Sequence, residues 1–205
     1  MDIEISADGL RHALAPANKT QATSDFDLNP NLRPSGVQWR AASVLVGLQN
    51  YQGRWHVVLT KRSSALRHHP GQIAFPGGKI DAEDADSISA AKREAYEEIN
   101  LPYHSTEIVG LLPAHETVTG FSVTPVVALI DDGFTPTPEP SEVAEAFRVP
   151  LTHVLDFENY AIQNRSWQGI TRQYYALPYG PYYIWGATAR MLRQFSELLH
   201  EAQNA

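Results

Sequence analysis

The chain has 205 residues, 43% hydrophobic and 19% charged, the balance of a folded domain with one sizeable core rather than of a disordered segment. Sixteen Lys and Arg against 23 Asp and Glu give a formal charge of −7, a surface that repels a phosphate backbone and argues against general nucleic-acid binding. The absence of cysteine removes disulfide frameworks, thiolate zinc sites and cysteine nucleophiles together.

The first 40 residues are polar, with a short helical pattern (Ile5, Leu10, Leu14) and then Pro- and Asn-rich segments. They are expected to form an extension packed on a single domain spanning residues 41–205. The start carries no apolar signal-peptide core, and no apolar run nears the roughly 20 residues that span a bilayer. The last residues, Glu201 to Ala205, are not a Ser-Lys-Leu address, so the expected place is the cytoplasm, away from membranes.

From Ala41 the texture changes. Residues 41–49 and 55–62 are β-branched runs separated by Asn50, Gln52 and Gly53, which predicts a hairpin. Residues 68–79 hold two Pro and three Gly and read as loop, with at most a short strand at Ile73–Phe75. Residues 107–116 and 122–130 predict two strands, the second apolar on both faces and therefore central. A Pro-rich loop follows at 131–140, a short element at 142–151, an aromatic strand at 176–185, and an amphipathic helix at Ala187–Gln203. Strands mixed with two substantial helices give an α/β (α+β) class, a mixed sheet sandwiched between helices.

Residues 86–99 are helical by period. At about 100° per residue, Ile88, Ala91, Ala95 and Ile99 share a face about 80° wide, the core stripe. Glu98 borders it at about 60° from Ala95, with Glu94 and Glu97 further round the same flank. Glu94 and Glu98 are an unfavourable i,i+4 like-charge pair, and Arg93 can offset it by pairing with Glu97. On an arbitrary helix such a flank is a solvated acidic surface. Here the glycine turn Phe75-Pro76-Gly77-Gly78-Lys79 lies just upstream and can bring backbone carbonyls close to a ligand. Clustered carboxylates plus a carbonyl make an all-oxygen site of the kind preferred by Mg²⁺ or Mn²⁺, suited to phosphoryl or nucleotidyl chemistry.

The segment GGKIDAEDADSISAAKREAYEEINL, residues 77–101, resembles a Nudix box, G-x5-E-x7-R-E-U-x-E-E-x-G-U with U a bulky aliphatic. Its core is intact as Arg93, Glu94, Glu97 and Glu98. Fifteen positions rather than fourteen separate Gly78 from Arg93, Asp84 stands for the upstream Glu, and Ala95 is a small residue in the aliphatic slot. Asn100 replaces the second Gly and tolerates the left-handed conformation that ends a helix. The longer string from Val57 to Ile99, which contains LTKRSSALRHHPGQIAFPGG, is similar to the coenzyme A pyrophosphatase subfamily of Nudix hydrolases, which shares the longer spacing and the Asp. Later blocks at 118–130, 142–151 and 182–192 also resemble that subfamily.

The resemblance implies a Nudix fold and Mg²⁺- or Mn²⁺-dependent hydrolysis of coenzyme A or acyl-CoA to 3′,5′-ADP and 4′-phosphopantetheine or its acyl form. It implies Glu94 and Glu98 as metal ligands, Glu97 as a third ligand or their support, and the Gly78 carbonyl as a further ligand. Arg93 would orient Glu97. The base that takes a proton from water is either a box glutamate or a distal carboxylate, Glu142 or Glu145. Arg62 and Arg67, with Lys61, follow a strand and are candidates for the substrate's phosphates, as are Gly77, Gly78 and Lys79 of the turn. The partner is thus a small molecule, and the resemblance leaves room for a homodimer. Asp81 and Asp84 read as helix caps. His68, His69 and His115 lack H-x-x-x-H or H-E-x-x-H spacing and are not expected to ligate metal. Phe75, Tyr182, Tyr183 and Trp185 read as core.

Two rival chemistries fail on spacing. Ile73 stands five before Gly78 and Ile80 follows Lys79, so there is no P-loop, and the segment Gly120 to Thr124 is not a nucleophile elbow. A Nudix diphosphatase for NADH or ADP-ribose, and a silent nucleotide-sensing Nudix domain, are the remaining alternatives.

Overall fold

The computed structural model describes residues 6–15, 21–167 and 169–204. Ile5 of the N-terminal helical pattern lies outside the described residues. In chain order the elements are α1 (Ala7–Leu14), β1 (Thr23–Ser24), β2 (Arg40–Tyr51), β3 (Arg54–Arg62), β4 (Ile73–Ala74), β5 (Gly77–Lys79) and α2 (Ser87–Ile99). Then come β6 (Thr106–Leu111), β7 (His115–Glu116), β8 (Phe121–Ile130), β9 (Val143–Pro150), α3 (Leu151–Leu155), β10 (Ala161–Trp167), β11 (Ile170–Tyr179), β12 (Tyr182–Trp185) and α4 (Ala187–Gln203).

The β2–β3 hairpin turns on Gln52 and Gly53, both at positive φ, the geometry that matches the twist of two antiparallel strands. β8 lies inside the larger sheet, as its two apolar faces predict. It runs parallel to β2 over ten residue pairs, from Arg40 with Phe121 to Gln49 with Ile130, and β6 and β7 pair with its other side. The path is β1-β7-β8-β2-β3-β4, with β5 added to β2, β6 to β8 and β9 to β3. The sheet is mixed, and its helices cover two faces. Leu45, Val126, Ala128 and Ile130 meet Ala91, Ala95 and Ile99 of α2 on one side. Val46, Val57, Leu59 and Val127 belong to the other, larger core with Leu10 and Leu14 of α1 and Leu192 and Phe195 of α4.

Two segments differ from the sequence expectation. The aromatic stretch at 176–185 is two strands, because Gly180 takes a positive φ and reverses the chain between Tyr179 and Tyr182. β10, β11 and β12 then form a separate antiparallel sheet of three. In addition, the short element expected at 142–151 is an eight-residue strand along β3, followed by α3.

Part of the N-terminal segment contributes to the core. Leu10 and Leu14 are buried, α1 meets α4 and β6, and Gly110 makes room for it: a Cβ there would lie 3.0 Å from Leu14 Cβ. β1 runs parallel to β7 through a buried clamp in which His115 Nδ1 meets Thr23 Oγ1 at 2.9 Å and Nε2 meets Asp25 Oδ1 at 3.1 Å. His115 is thereby committed to tertiary structure.

Candidate active site

α2 begins at Asp86, whose carboxylate accepts the Ser89 N–H at 2.7 Å and the Ser89 hydroxyl at 2.9 Å, holding its acid strength above the usual. It ends at Asn100, in the left-handed conformation at φ 56°, with the N–H of Asn100 on Tyr96 O and that of Leu101 on Ala95 O. Ala90, Ala91 and Ala95 are fully buried. The small slot residue Ala95 thus sits where the helix lies on the sheet, and Ser43 of β2 donates its hydroxyl to Ser87 O at 2.6 Å.

That close seating takes Glu98 inside. It is only 3% exposed, and its carboxylate has two long-range partners. The Gly77 N–H donates to Oε2 at 3.3 Å, and the Arg62 guanidinium stands 3.9 Å from Oε1. Burial dominates over both and pushes the carboxyl up to about 8. Glu94 is likewise raised, by burial, and leans on the glycine turn: a Cβ on Gly78 would fall 2.6 Å from its Cδ. Gly77 is equally constrained, since a Cβ there would meet Val44 Cα at 2.6 Å. The two glycines of β5 are therefore pressed between β2 and the two glutamates.

Arg93 organises the rest of the flank. Its Nε and Nη2 donate to Asp84 Oδ1 and Oδ2 at 3.0 and 2.9 Å, a two-pronged ion pair. Nη1 donates to Glu94 Oε1 and Glu97 Oε2, both at 3.0 Å, and Nη2 also reaches the Lys79 carbonyl at 3.1 Å. The pairing holds Asp84 below the usual carboxylate range and Arg93 firmly protonated. This corrects one expectation. Neither Asp81 nor Asp84 caps α2, because Asp86 has that place and the turn at 81–84 aims Asp84 at Arg93. Asp81 lies beside the same arginine at 3.5 Å.

The structure separates the two distal carboxylates. Loop 131–142 is stitched to the end of α2, with the Thr137 N–H on Ile99 O at 3.0 Å and the Glu139 N–H on Glu98 O at 2.9 Å. Glu142 O then accepts the Ser63 N–H at 2.8 Å, and the Glu142 charge acts on both Glu94 and Glu98. Glu145, in contrast, is held by the Tyr182 hydroxyl, which stays protonated up to about 12 and stacks on Phe147 with ring centroids 3.6 Å apart.

Glu94, Glu98, Gly77, Gly78, Arg62 and Glu142 are thus brought together. Glu97 is exposed and faces Arg93. Lys61, Arg67, His68 and Lys79 have exposed side chains, and Lys79 contributes its carbonyl. Sequence reasoning missed the Arg93–Asp84 pair, for which the Asp in the box position was the available signal.

The donor chemistry fits a divalent cation. Glu98 is a buried carboxylate short of partners, and Glu94 packs into a cradle that any side chain at Gly78 would fill. Oxygen donors alone suit Mg²⁺ or Mn²⁺. Among the described residues, however, no three His, Asp or Glu side chains already converge as a cage. Also among them, no helix is long and apolar enough to cross a membrane.

With this fold and this glutamate helix in place, comparison with known proteins is direct. Residues 39–168 match the NUDIX domain, and the chain belongs to the Nudix hydrolase family. Proteins described as uncharacterised Nudix hydrolases NudL, from Enterobacter sp. (strain 638) and Citrobacter koseri, are each 38% identical over 169 residues, 82% of this chain and 88% of theirs. The solved MutT protein from Methanosarcina mazei Go1 is 18% identical, with a TM-score of 0.52 over 84% of this chain and all of that one, a likeness of fold. Nudix hydrolases generally require a divalent ion such as Mg²⁺ or Mn²⁺ and act on small molecules.

Proposed function

We propose that the chain hydrolyses the diphosphate bond of coenzyme A or an acyl-CoA, giving 3′,5′-ADP and 4′-phosphopantetheine or its acyl form, in the cytoplasm. The observation that carries this is the contact between Arg62 and Glu98. It joins the string LTKRSSALRHHPGQIAFPGG, by which the chain resembles coenzyme A pyrophosphatases, to the helix that holds the glutamates.

Glu94 and Glu98, with the Gly78 carbonyl, would hold the cation, which supplies charge neutralisation at the diphosphate. Arg62 lies beside Glu98 and binds a diphosphate oxygen, the role in which a guanidinium is strongest. Arg93 fixes Glu94 and Glu97 from behind, with Asp84 as its anchor. Glu142 takes a proton from the attacking water. Oxygen from water bonds to one phosphorus, the bond from that phosphorus to the bridging oxygen breaks, and the bridging oxygen leaves on the other phosphate.

The test is incubation with coenzyme A and Mg²⁺, with Glu98→Gln as control and products read by mass spectrometry. Formation of 3′,5′-ADP and phosphopantetheine by the parent protein alone supports the assignment. Intact coenzyme A together with turnover of NADH or ADP-ribose would replace it, and binding of nucleotides without Mg²⁺-dependent turnover would make the chain a sensor.

A further inference from the structure

A cavity of about 730 Å³ opens between the small sheet and the body of the protein, a size ordinary for a small-molecule site. One wall is the loop at His69–Gln72, and the opposite wall is built from β10, β11, β12 and the start of α4. Arg165 and Arg172 both line it and are direct cross-strand partners in the β10–β11 pair, so their side chains stand on one face of the sheet. Like charges placed opposite each other are destabilising. Among the described residues, neither arginine belongs to an ion pair. In a chain of charge −7, with acidic side chains in excess, this leaves two cations facing an open cavity.

The same face carries Tyr174, two positions from Arg172, and Trp185, aligned with Ala176. The two rings meet edge to face with centroids 5.2 Å apart, and the Arg165 guanidinium lies 5.9 Å from the Trp185 ring centre. Arg190 adds a third cation, partly offset by Glu197 at 3.1 Å and Asp27 at 3.5 Å. Asp25 is the acidic residue of the lining, and its two oxygens are taken by His115 and by the Val118 N–H at 2.9 Å. The cavity is therefore net cationic with an aromatic floor, a match for an anionic group carried on a flat ring system.

It is also joined to the glutamate site through the backbone. The Gly71 N–H donates to Arg62 O at 3.1 Å and the Arg62 N–H to Gln72 O at 3.0 Å, so the loop that walls the cavity is hydrogen-bonded to the residue that faces Glu98. On the far side, Thr188 of α4 donates its hydroxyl to Ile73 O at 3.1 Å, which fixes the cavity's two walls together.

We infer that this cavity binds the nucleoside end of the substrate, with Arg165 and Arg172 gripping a phosphate monoester that is not part of the diphosphate and with Tyr174 and Trp185 against the base. The inference rests on the proposed diphosphatase reading and makes these residues the determinants of preference for a 3′-phosphorylated nucleotide.

The experiment compares coenzyme A with 3′-dephospho-coenzyme A, which differ only in that monoester. The parent protein is expected to favour coenzyme A in kcat/KM, by roughly tenfold or more for each arginine that grips the phosphate. In Arg165→Gln/Arg172→Gln the ratio of the two kcat/KM values falls toward one, in Arg165→Lys/Arg172→Lys it is partly kept, and in Arg54→Gln, a charge lost from the far hairpin, it is unchanged. Circular dichroism and Tm confirm folding of each variant. In parallel, calorimetry without metal measures adenosine 3′,5′-bisphosphate against adenosine 5′-monophosphate, and the preference for the bisphosphate is expected to vanish in the Gln pair. An unchanged ratio in a folded Gln pair overturns the inference. So does a bisphosphate that binds at the arginines yet inhibits turnover without competing with coenzyme A, since the cavity is then an effector site. If the parent protein cleaves neither compound, the diphosphatase reading fails by itself. The calorimetry then decides the cavity: loss of bisphosphate preference in the Gln pair supports a phosphate site, and no preference in the parent refutes it.

Discussion

Glu98→Gln tests the central claim about the glutamate helix without reference to any substrate. A carboxyl raised from 4.5 to about 8 by burial is disfavoured in its ionised form by on the order of 5 kcal/mol. Glutamine has nearly the same shape and keeps an oxygen for the Gly77 N–H, but its amide hydrogens are left short of acceptors at a cost of about 1–3 kcal/mol. In chelator at pH 8.5 the variant is therefore expected to be more stable than the parent by about 2–4 kcal/mol, a rise in Tm of roughly 4–16 °C for a chain of this size. The sign follows from linkage. The folded-state pKa is raised, so the folded protein binds more protons between pH 4.5 and about 8, and the parent loses stability as pH rises through that window. At pH 5 the parent carboxyl is protonated and the advantage of glutamine disappears. A divalent cation offsets this at high pH: saturating the parent at about a thousand times Kd adds about 4.1 kcal/mol, and the variant gains little. The assay is a set of thermal melts at pH 5.0 to 8.5, with EDTA or Mg²⁺. A variant less stable than the parent at pH 8.5 in EDTA, or equal stabilisation of both by Mg²⁺, would refute the reasoning.

Other changes have equally direct readouts. Gly78→Ala places a Cβ on the Glu94 carboxylate and is expected to weaken Mg²⁺ binding at least tenfold by calorimetry with circular dichroism unchanged. Asp86→Ala removes the α2 cap and should lower stability by about 1 kcal/mol in urea unfolding. Asp84 and Asp86 have folded-state pKa values below 3.8, so their share of stability is complete above that pH and is lost on acidification below it, an acid limb that Asp84→Asn should flatten in pH-dependent melts. Glu142→Gln should lower kcat at least tenfold with little change in KM, while Glu145→Gln, in a residue occupied by Tyr182, should have the smaller effect.

The parts legible in the sequence were those with a period or a fixed spacing. Ala91, Ala95 and Ile99 announce the buried side of α2, and the apolar run at 123–130 announces an interior strand, because core contact imposes each repeat. The burial of Glu98 was half visible, since its angle put it at the edge of the stripe, while the alanines that let the helix settle onto β2 decided the matter. The position of Asp84 in the box was visible, but its service to Arg93 was not, because that depends on how an irregular turn folds back over nine residues. The β10–β11 hairpin was hidden for another reason. Gln163, Asn164, Arg172 and Gln173 are exposed, so no apolar alternation marks the strands. The cationic cavity is made by that hairpin and escaped with it.

Gln49 is fully buried, and its Nε2 donates to Asp131 O at 2.9 Å and Phe134 O at 2.7 Å while its Oε1 accepts from Arg148 Nε at 2.7 Å. Together with the bonds from residues 137 and 139 to the end of α2, this makes loop 131–142 a fixed jaw. The loop opposite, between Ser63 and Gly71, is tied to it where the Ser63 N–H meets Glu142 O at 2.8 Å, and it exposes Arg67, His68 and His69. Glu142 therefore stands at the end of a braced loop, its backbone held from three directions by Gln49, the end of α2 and Ser63.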